Sequence, residues 1–144
     1  MGIWPKRKPR PNIDEYGRSS LWELSFKGDL QGVKEKLNEG ADPNQGDDRG
    51  YTPLQVAIQE KHFEVVEYLL ANGSDPNQKD INGNTPLWTA VTNWAKDERI
   101  ILWLLERGAD PQIENNYENS PFSVIDGMDG KVGEFMKTNF NQNT

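Results

Sequence analysis

The chain contains one histidine and no cysteine, so the residue types that most often carry catalysis or bind transition metals are nearly absent. Without Cys there is no thiolate zinc site, no thiol nucleophile and no disulfide framework, which fits a reducing compartment. His62 follows Lys61 in a polar turn. A general base needs an oriented partner and a nucleophile within hydrogen-bond reach. The sequence supplies no nucleophile-elbow serine, no His-Glu-x-x-His helix and no phosphate-binding Gly-Lys loop. His62 therefore reads as a turn residue bonded to backbone. Asp42-Pro43-Asn44 and Asp80-Ile81-Asn82 begin like calcium loops, but Gly46 and Gly83 fall at the wrong offsets, and Pro53 and Val91 stand where a bidentate glutamate belongs. They too are turn residues. The expectation is a protein that is not an enzyme and has no cofactor and no metal.

Charge narrows the choice of partner. There are 16 Lys and Arg against 23 Asp and Glu, a formal charge of −7. Lys6-Arg7-Lys8-Pro9-Arg10 is the one basic block: residues 1–18 hold five basic and two acidic side chains, a charge of +3, and the remainder, with eleven against twenty-one, carries −10. Phosphate binding requires the opposite sign, which argues against nucleic acid and for a protein partner with a basic or mixed surface. Residues 1–13 read as an extended, charge-solvated arm, with an import or nucleic-acid arm as the alternative. No apolar run of seven or more follows the basic N-terminus and no stretch nears the length of a membrane helix. The expected setting is cytoplasmic, with no membrane association and no small-molecule substrate.

Leu, Ile, Val and Phe make up 31 of 144 residues, about 22%, close to the level at which a charged chain fails to collapse. Either the chain is disordered or it folds with little core per residue, and an internal repeat decides between them. Gly40-Ala41-Asp42-Pro43-Asn44 recurs as Gly73-Ser74-Asp75-Pro76-Asn77 and Gly108-Ala109-Asp110-Pro111-Gln112, at spacings of 33 and 35. Ser19-Ser20-Leu21, Thr52-Pro53-Leu54, Thr85-Pro86-Leu87 and Ser120-Pro121-Phe122 recur at 33, 33 and 35. Thr52 and Thr85 are placed to cap helices whose first residue is proline, where the missing N–H costs nothing. Short first helices are expected over 53–59 and 86–92. Second helices carry Val65, Val66, Leu69, Leu70 and Ile100, Ile101, Leu104, Leu105, a stripe wide enough for packing on both sides. Gly40, Gly73 and Gly108 end them as C′ residues. In the first repeat Gly32 and Lys36 replace Val65 and Leu69, leaving one side polar as a terminal repeat requires. Val132, Phe135 and Met136 form the stripe of a degenerate last repeat.

The two phased signals resemble the ankyrin-repeat family over residues 14–138, and Asp14-Glu15-Tyr16-Gly17-Arg18-Ser19 matches the family's finger loop. The resemblance implies an all-α solenoid of four helix-turn-helix repeats with finger-like β-turn loops, divided at 14–46, 47–79, 80–114 and 115–138, with a frayed tail over 139–144. Residues 82–91, a lengthened turn between the helices of repeat three, and residues 114–121 are similar to small bacterial ankyrin proteins, some of which are immunity partners of toxins. This implies a non-catalytic protein-binding module, a stoichiometric inhibitor of a partner such as a bacterial toxin, monomeric before the partner binds. An adaptor or scaffold in a eukaryotic or host-directed setting is the alternative. The chain also departs from the family, which has His after Thr-Pro-Leu, bonding from repeat to repeat. Here Trp22, Gln55, Trp88 and Ser123 stand there, so that ladder is expected to be absent. Ser20 in place of proline and Asp126-Gly127 in place of small apolar residues predict looser ends.

In such stacks each turn and the exposed side of each first helix share one concave edge. The mapping gives Tyr16, Arg18, Trp22 and Phe26 from repeat one and Asp48, Arg49, Tyr51 and Gln59 from repeat two. Repeat three contributes Ile81, Asn82, Trp88, Thr92 and Trp94, the last in its lengthened turn, and repeat four Asn116 and Tyr117. Tyr16, Tyr51 and Tyr117 on exposed turns either anchor a partner or cover the neighbouring repeat. Trp22 and Trp88 likewise either pack between repeats or lie open, and Trp103 is expected in the core.

Overall fold

The computed structural model describes residues 11–94 and 97–140, and the structural statements below concern these residues. Eight helices pair in sequence: α1 (Ser20–Lys27) with α2 (Leu30–Asn38), α3 (Pro53–Gln59) with α4 (Phe63–Ala71), α5 (Pro86–Trp94) with α6 (Glu98–Glu106), and α7 (Phe122–Ile125) with α8 (Gly130–Asn139). The starts are chemical. The Thr52 hydroxyl accepts from the Gln55 N–H at 3.2 Å, and the Gln55 side chain accepts from the Thr52 N–H at 3.1 Å, a capping box with Pro53 in the first turn. Ser19 and Thr85 accept from the N–H groups of Trp22 and Trp88 at 3.1 and 3.3 Å. α3 has the expected limits, whereas α5 runs two residues further than expected, to Trp94.

The apolar seam threads between the helix layers. Leu21, Leu54 and Leu87 from the first helices, and Val33, Val66, Ile101, Val65, Ile100 and Val132 from the second, are all buried. The two ends reveal which position faces which neighbour. Val33 is fully buried in the first repeat, which has only a following repeat among the described residues, while Gly32 and Lys36 are half-exposed. In the last repeat the order inverts: Val132 and Met136 are buried against α6, and Lys137, at the register position of Leu70 and Leu105, is exposed. A lysine thus keeps each outer flank polar. Gly133 lies under the Met128 carbonyl, where a Cβ would collide.

Four fingers project from the helix layers, each closed by the same device. One oxygen of Asp14, Asp47 or Asp80 accepts the N–H groups two and four residues on, at 2.8–3.0 Å, and the Asn115 side-chain oxygen does the same at 2.9 and 3.0 Å. Adjacent fingers are then joined by single backbone bonds in strict register: Asp48 N–H to Tyr16 O, Ile81 N–H to Arg49 O and Asn116 N–H to Asn82 O, at 2.9, 2.8 and 2.9 Å. So close an approach demands a residue without a side chain. A Cβ on Gly17, Gly50 or Gly83, all at positive φ, would fall 2.8, 3.1 or 2.9 Å from backbone of the following finger. The fourth finger has no following finger among the described residues, and Glu118 holds the equivalent left-handed position at φ 62°.

Three expectations need correction. Across the first three repeats the inter-repeat ladder is present with other donors: Trp22 Nε1 donates to Tyr51 O at 3.0 Å and Gln55 Nε2 to Asn84 O at 3.1 Å. Each acceptor is the residue just before the next helix cap, so what the position requires is an N–H of sufficient reach, which indole and carboxamide both supply. Trp103 is half-buried against the core rather than fully inside it, set edge-on to Phe63 with centroids 6.3 Å apart. Asn139, expected in a frayed tail, ends α8, and the Phe140 ring lies 6.4 Å from that of Phe135. At the other boundary Ile13 pairs with Ser19 in an antiparallel bridge and so begins the first finger. α7 is only four residues long and stops at Asp126, followed by Gly127 at φ 88°.

The fingers give a paired prediction for urea unfolding. Gly83→Ala adds both left-handed strain and a collision with the Asn116 backbone nitrogen and should cost about 2 kcal/mol or more. Glu118→Gly relieves strain on the last described finger and should gain about 0.5–1 kcal/mol after the added chain entropy.

Candidate functional site

The concave face is built by the fingers and by α1, α3 and α5. At its first-repeat end four side chains form one strip. The Arg18 guanidinium carbon lies 4.5 Å from the Tyr16 ring centre and 5.2 Å from that of Trp22. Trp22 in turn stacks on Phe26, one helical turn on, with centroids 5.7 Å apart and ring planes 11° from parallel. Arg18 is held from below by Asp14, Nε to Oδ2 at 2.8 Å, with Glu23 at 3.5 Å. Tyr16 and Phe26 are exposed, and Trp22 is buried with its indole N–H spent on Tyr51 O.

Two hollows flank this strip. One of about 440 Å³ lies between Tyr16, Arg18 and Trp22 on one side and Asp47, Asp48 and Arg49 on the other. The second, about 370 Å³, is lined among others by Trp22, Phe26, Tyr51, Val56, Ile81 and Asn82. Trp22 and Arg49 line both, so the hollows adjoin. Ten of the residues read from the sequence meet here: Tyr16, Arg18, Trp22, Phe26, Asp48, Arg49, Tyr51, Gln59, Ile81 and Asn82. Trp88, Thr92, Asn116 and Tyr117 lie outside the hollows. Trp88 is half-buried against the core, Thr92 returns its hydroxyl to the Trp88 carbonyl at 2.8 Å, and Asn116 and Tyr117 sit on the last fingertip, with Tyr117 70% exposed. The side chain of Trp94 and the block Lys6–Arg10 fall outside the described residues.

Tyr51 is not exposed as Tyr16 and Tyr117 are. Positions 16, 49, 82 and 117 are the equivalent fingertips, whereas Tyr51 shares the register of Arg18 and Asn84. Its ring is half-buried, its hydroxyl donates to Gln59 Oε1 at 2.7 Å, and burial pushes the phenol's pKa up despite the Thr89 hydroxyl. Asp47, Val56, Glu60 and Asn84 line the hollows without having been singled out in the sequence, and Asp80, read there as a turn residue, lines the second of them too. The Asp residues and Asn84 belong to the finger device, so the finger pattern itself was their signal. His62 is a structural residue: Nε2 lies 2.9 Å from Phe26 O, and since a carbonyl only accepts, that nitrogen carries the proton.

Withdrawal from water pushes the Asp14 carboxyl up, but the N–H groups of Arg18 and Tyr16 and the Arg18 guanidinium outweigh it and hold the pKa below the ordinary carboxylate range. A carboxyl depressed in the folded state contributes stability above its unfolded value, and this is lost as pH falls through the folded one. Asp14→Asn keeps the backbone bonds, as Asn115 does in the fourth finger, but removes the titrating group. Melting temperature followed on acidification should therefore fall less steeply in Asp14→Asn than in the parent chain, and equal slopes would contradict this reading.

The comparisons agree with this architecture. A family model described as ankyrin repeats, three copies, matches residues 21–115. Ankyrin repeat domain-containing protein 39 of Homo sapiens is 38% identical over 50 residues, 35% of this chain and 27% of that protein. Protein phosphatase 1 regulatory subunit 27 of Homo sapiens is 34% identical over 59 residues, 41% and 38% of the two chains. Dynein axonemal heavy chain 12 of Bos taurus is 31% identical over 104 residues, 72% and 28% respectively. The matches thus span 27% to 38% of the length of these relatives. No described helix is long and apolar enough to cross a membrane. With its period, its capped helix pairs, its joined fingers and its match to the family model, this chain belongs to the ankyrin-repeat family and is a protein-binding module.

Proposed function

We propose that the chain acts as a stoichiometric, non-catalytic inhibitor that seats an enzyme on its concave face. The observation that carries this is the Tyr16–Arg18–Trp22–Phe26 strip beside a hollow that runs to Ile81. Aromatic and Arg side chains gathered at a concavity are the groups that anchor protein interfaces. Arg18 is already neutralised by Asp14, so the strip offers apolar and π surface more than charge. The surrounding acidic body, −10 beyond residue 18, steers a basic or mixed surface towards the face. One relative is by name a regulatory subunit of a protein phosphatase, which favours an enzyme as the partner. A bacterial toxin is the form of that enzyme favoured by the resemblance of residues 82–91 and 114–121.

The test starts from affinity purification of the full chain with mass spectrometry, followed by titration of the recovered enzyme against it. Inhibition should saturate at one to one. Tyr16→Ala, Phe26→Ala and Ile81→Ala remove side chains that are 57%, 43% and 63% exposed, so their melting temperatures should stay close to the parent's. Each should weaken binding by about 1–2 kcal/mol or more, and Tyr117→Ala tests whether the contact reaches the last finger. Normal binding by all four, with loss on changing Phe63 or Trp103, would place the interface on the outer helices and sink the proposal.

A further inference from the structure

The edge opposite the fingertips carries a second ladder, made by carboxamides. Asp42, Asp75 and Asp110 fold each Gly-x-Asp-Pro-x turn by accepting the N–H two residues on, at 2.9, 2.8 and 2.9 Å. From that turn Asn44 reaches the next repeat, where Nδ2 donates to the Gly73 carbonyl at 2.9 Å and Oδ1 accepts from the Asp75 N–H at 2.7 Å. One repeat on, Asn77 does the same with the Gly108 carbonyl at 2.9 Å and the Asp110 N–H at 2.8 Å. The clasp thus reads a donor and an acceptor on one planar group. A carboxamide has both, and a carboxylate has only acceptors.

The first repeat owns the same clasp and leaves it open. Its Gly40 carbonyl and Asp42 N–H have no hydrogen-bond partner among the described residues. The register position of Asn44, 33 residues earlier, is Pro11, which has no carboxamide. Residues 1–10 contain neither Asn nor Gln, and Asn12 bonds neither group. The open clasp gives onto a hollow of about 460 Å³, lined among others by Pro11, Ile13, Leu21, Ala41 and Gln45. In the interior the corresponding space holds a turn, with Pro43 in van der Waals reach of a Cβ at Gly73. A complete further repeat is disfavoured as the occupant, because Gly32 and Lys36 offer no apolar face to another second helix, and Lys36 is tied to Glu39 at 3.0 Å on the rim.

We infer that this end of the stack is a binding site for an asparagine-bearing turn of a partner protein, clasped by Gly40 O and Asp42 N–H as Asn44 and Asn77 are clasped inside. It is separate from the concave face, and neither site requires the other. The probe is a capped peptide with the sequence of residues 73–78, Gly-Ser-Asp-Pro-Asn-Gln, titrated into the full-length chain and followed by amide NMR. The Asp42 amide should shift while those of Ile81 and Asn82 stay in place, and the Asn77→Asp peptide should bind about tenfold more weakly. Pro11→Asn in the full chain supplies a carboxamide from within, and its Asp42 amide should exchange about five- to tenfold more slowly. An equal response to both peptides overturns the proposal. So does an Asp42 amide that is unmoved by the peptide and unprotected by Pro11→Asn.

Discussion

Everything in this molecule depends on holding successive repeats in register. No repeat can bury its own apolar stripe, so burial happens between neighbours, and burial is non-directional. Two leucine-rich layers could slide past one another at little cost. What fixes them is a set of directional bonds spaced one period apart along both edges: finger to finger through backbone, first helix to next cap through Trp22 and Gln55, and turn to turn through Asn44 and Asn77. This explains how a chain with so little Leu, Ile, Val and Phe keeps a defined shape. The seam supplies the driving force and the polar rungs supply the geometry.

The same division decides what could be read from the sequence. Thr52, Pro53, Thr85 and Pro86, the apolar stripes and the turn glycines act within a few residues of themselves, so the starts of α3 and α5 and the number of repeats were legible. Side chains that act one period away were not. The expected loss of the His ladder treated the position as needing imidazole, whereas Trp22 and Gln55 show that any N–H of the right reach can bond there. Tyr51 was grouped with Tyr16 and Tyr117 by residue type, but its register puts it beside Arg18, where a ring covers rather than protrudes. Trp103 follows the apolar pattern of α6 yet is only half-buried, set against Phe63, a placement set by the helix before it.

For function, the consequence of the rungs is a face that exists before a partner arrives. Fingers tied at each level lose little freedom on binding, which lowers the entropic cost that usually offsets contact energy. The strip from Tyr16 to Phe26 is likewise fixed in advance, with Trp22 committed to Tyr51 and Arg18 to Asp14. In the proposed inhibitor, exposed side chains on a rigid support meet what a tight, stoichiometric contact requires, and the acidic body supplies steering rather than anchoring.

The most direct test of this account is native-state hydrogen exchange on the full chain, comparing the Asp48, Ile81 and Asn116 amides that join the fingers with the Val66 and Ile101 amides in the helices behind them. If the rungs set the register, fingers and helices open together, and the opening free energies should agree to within about 1 kcal/mol. Finger amides that exchange at unprotected rates while the helices remain protected would show that the apolar seam alone defines the stack and that the concave face is not preformed.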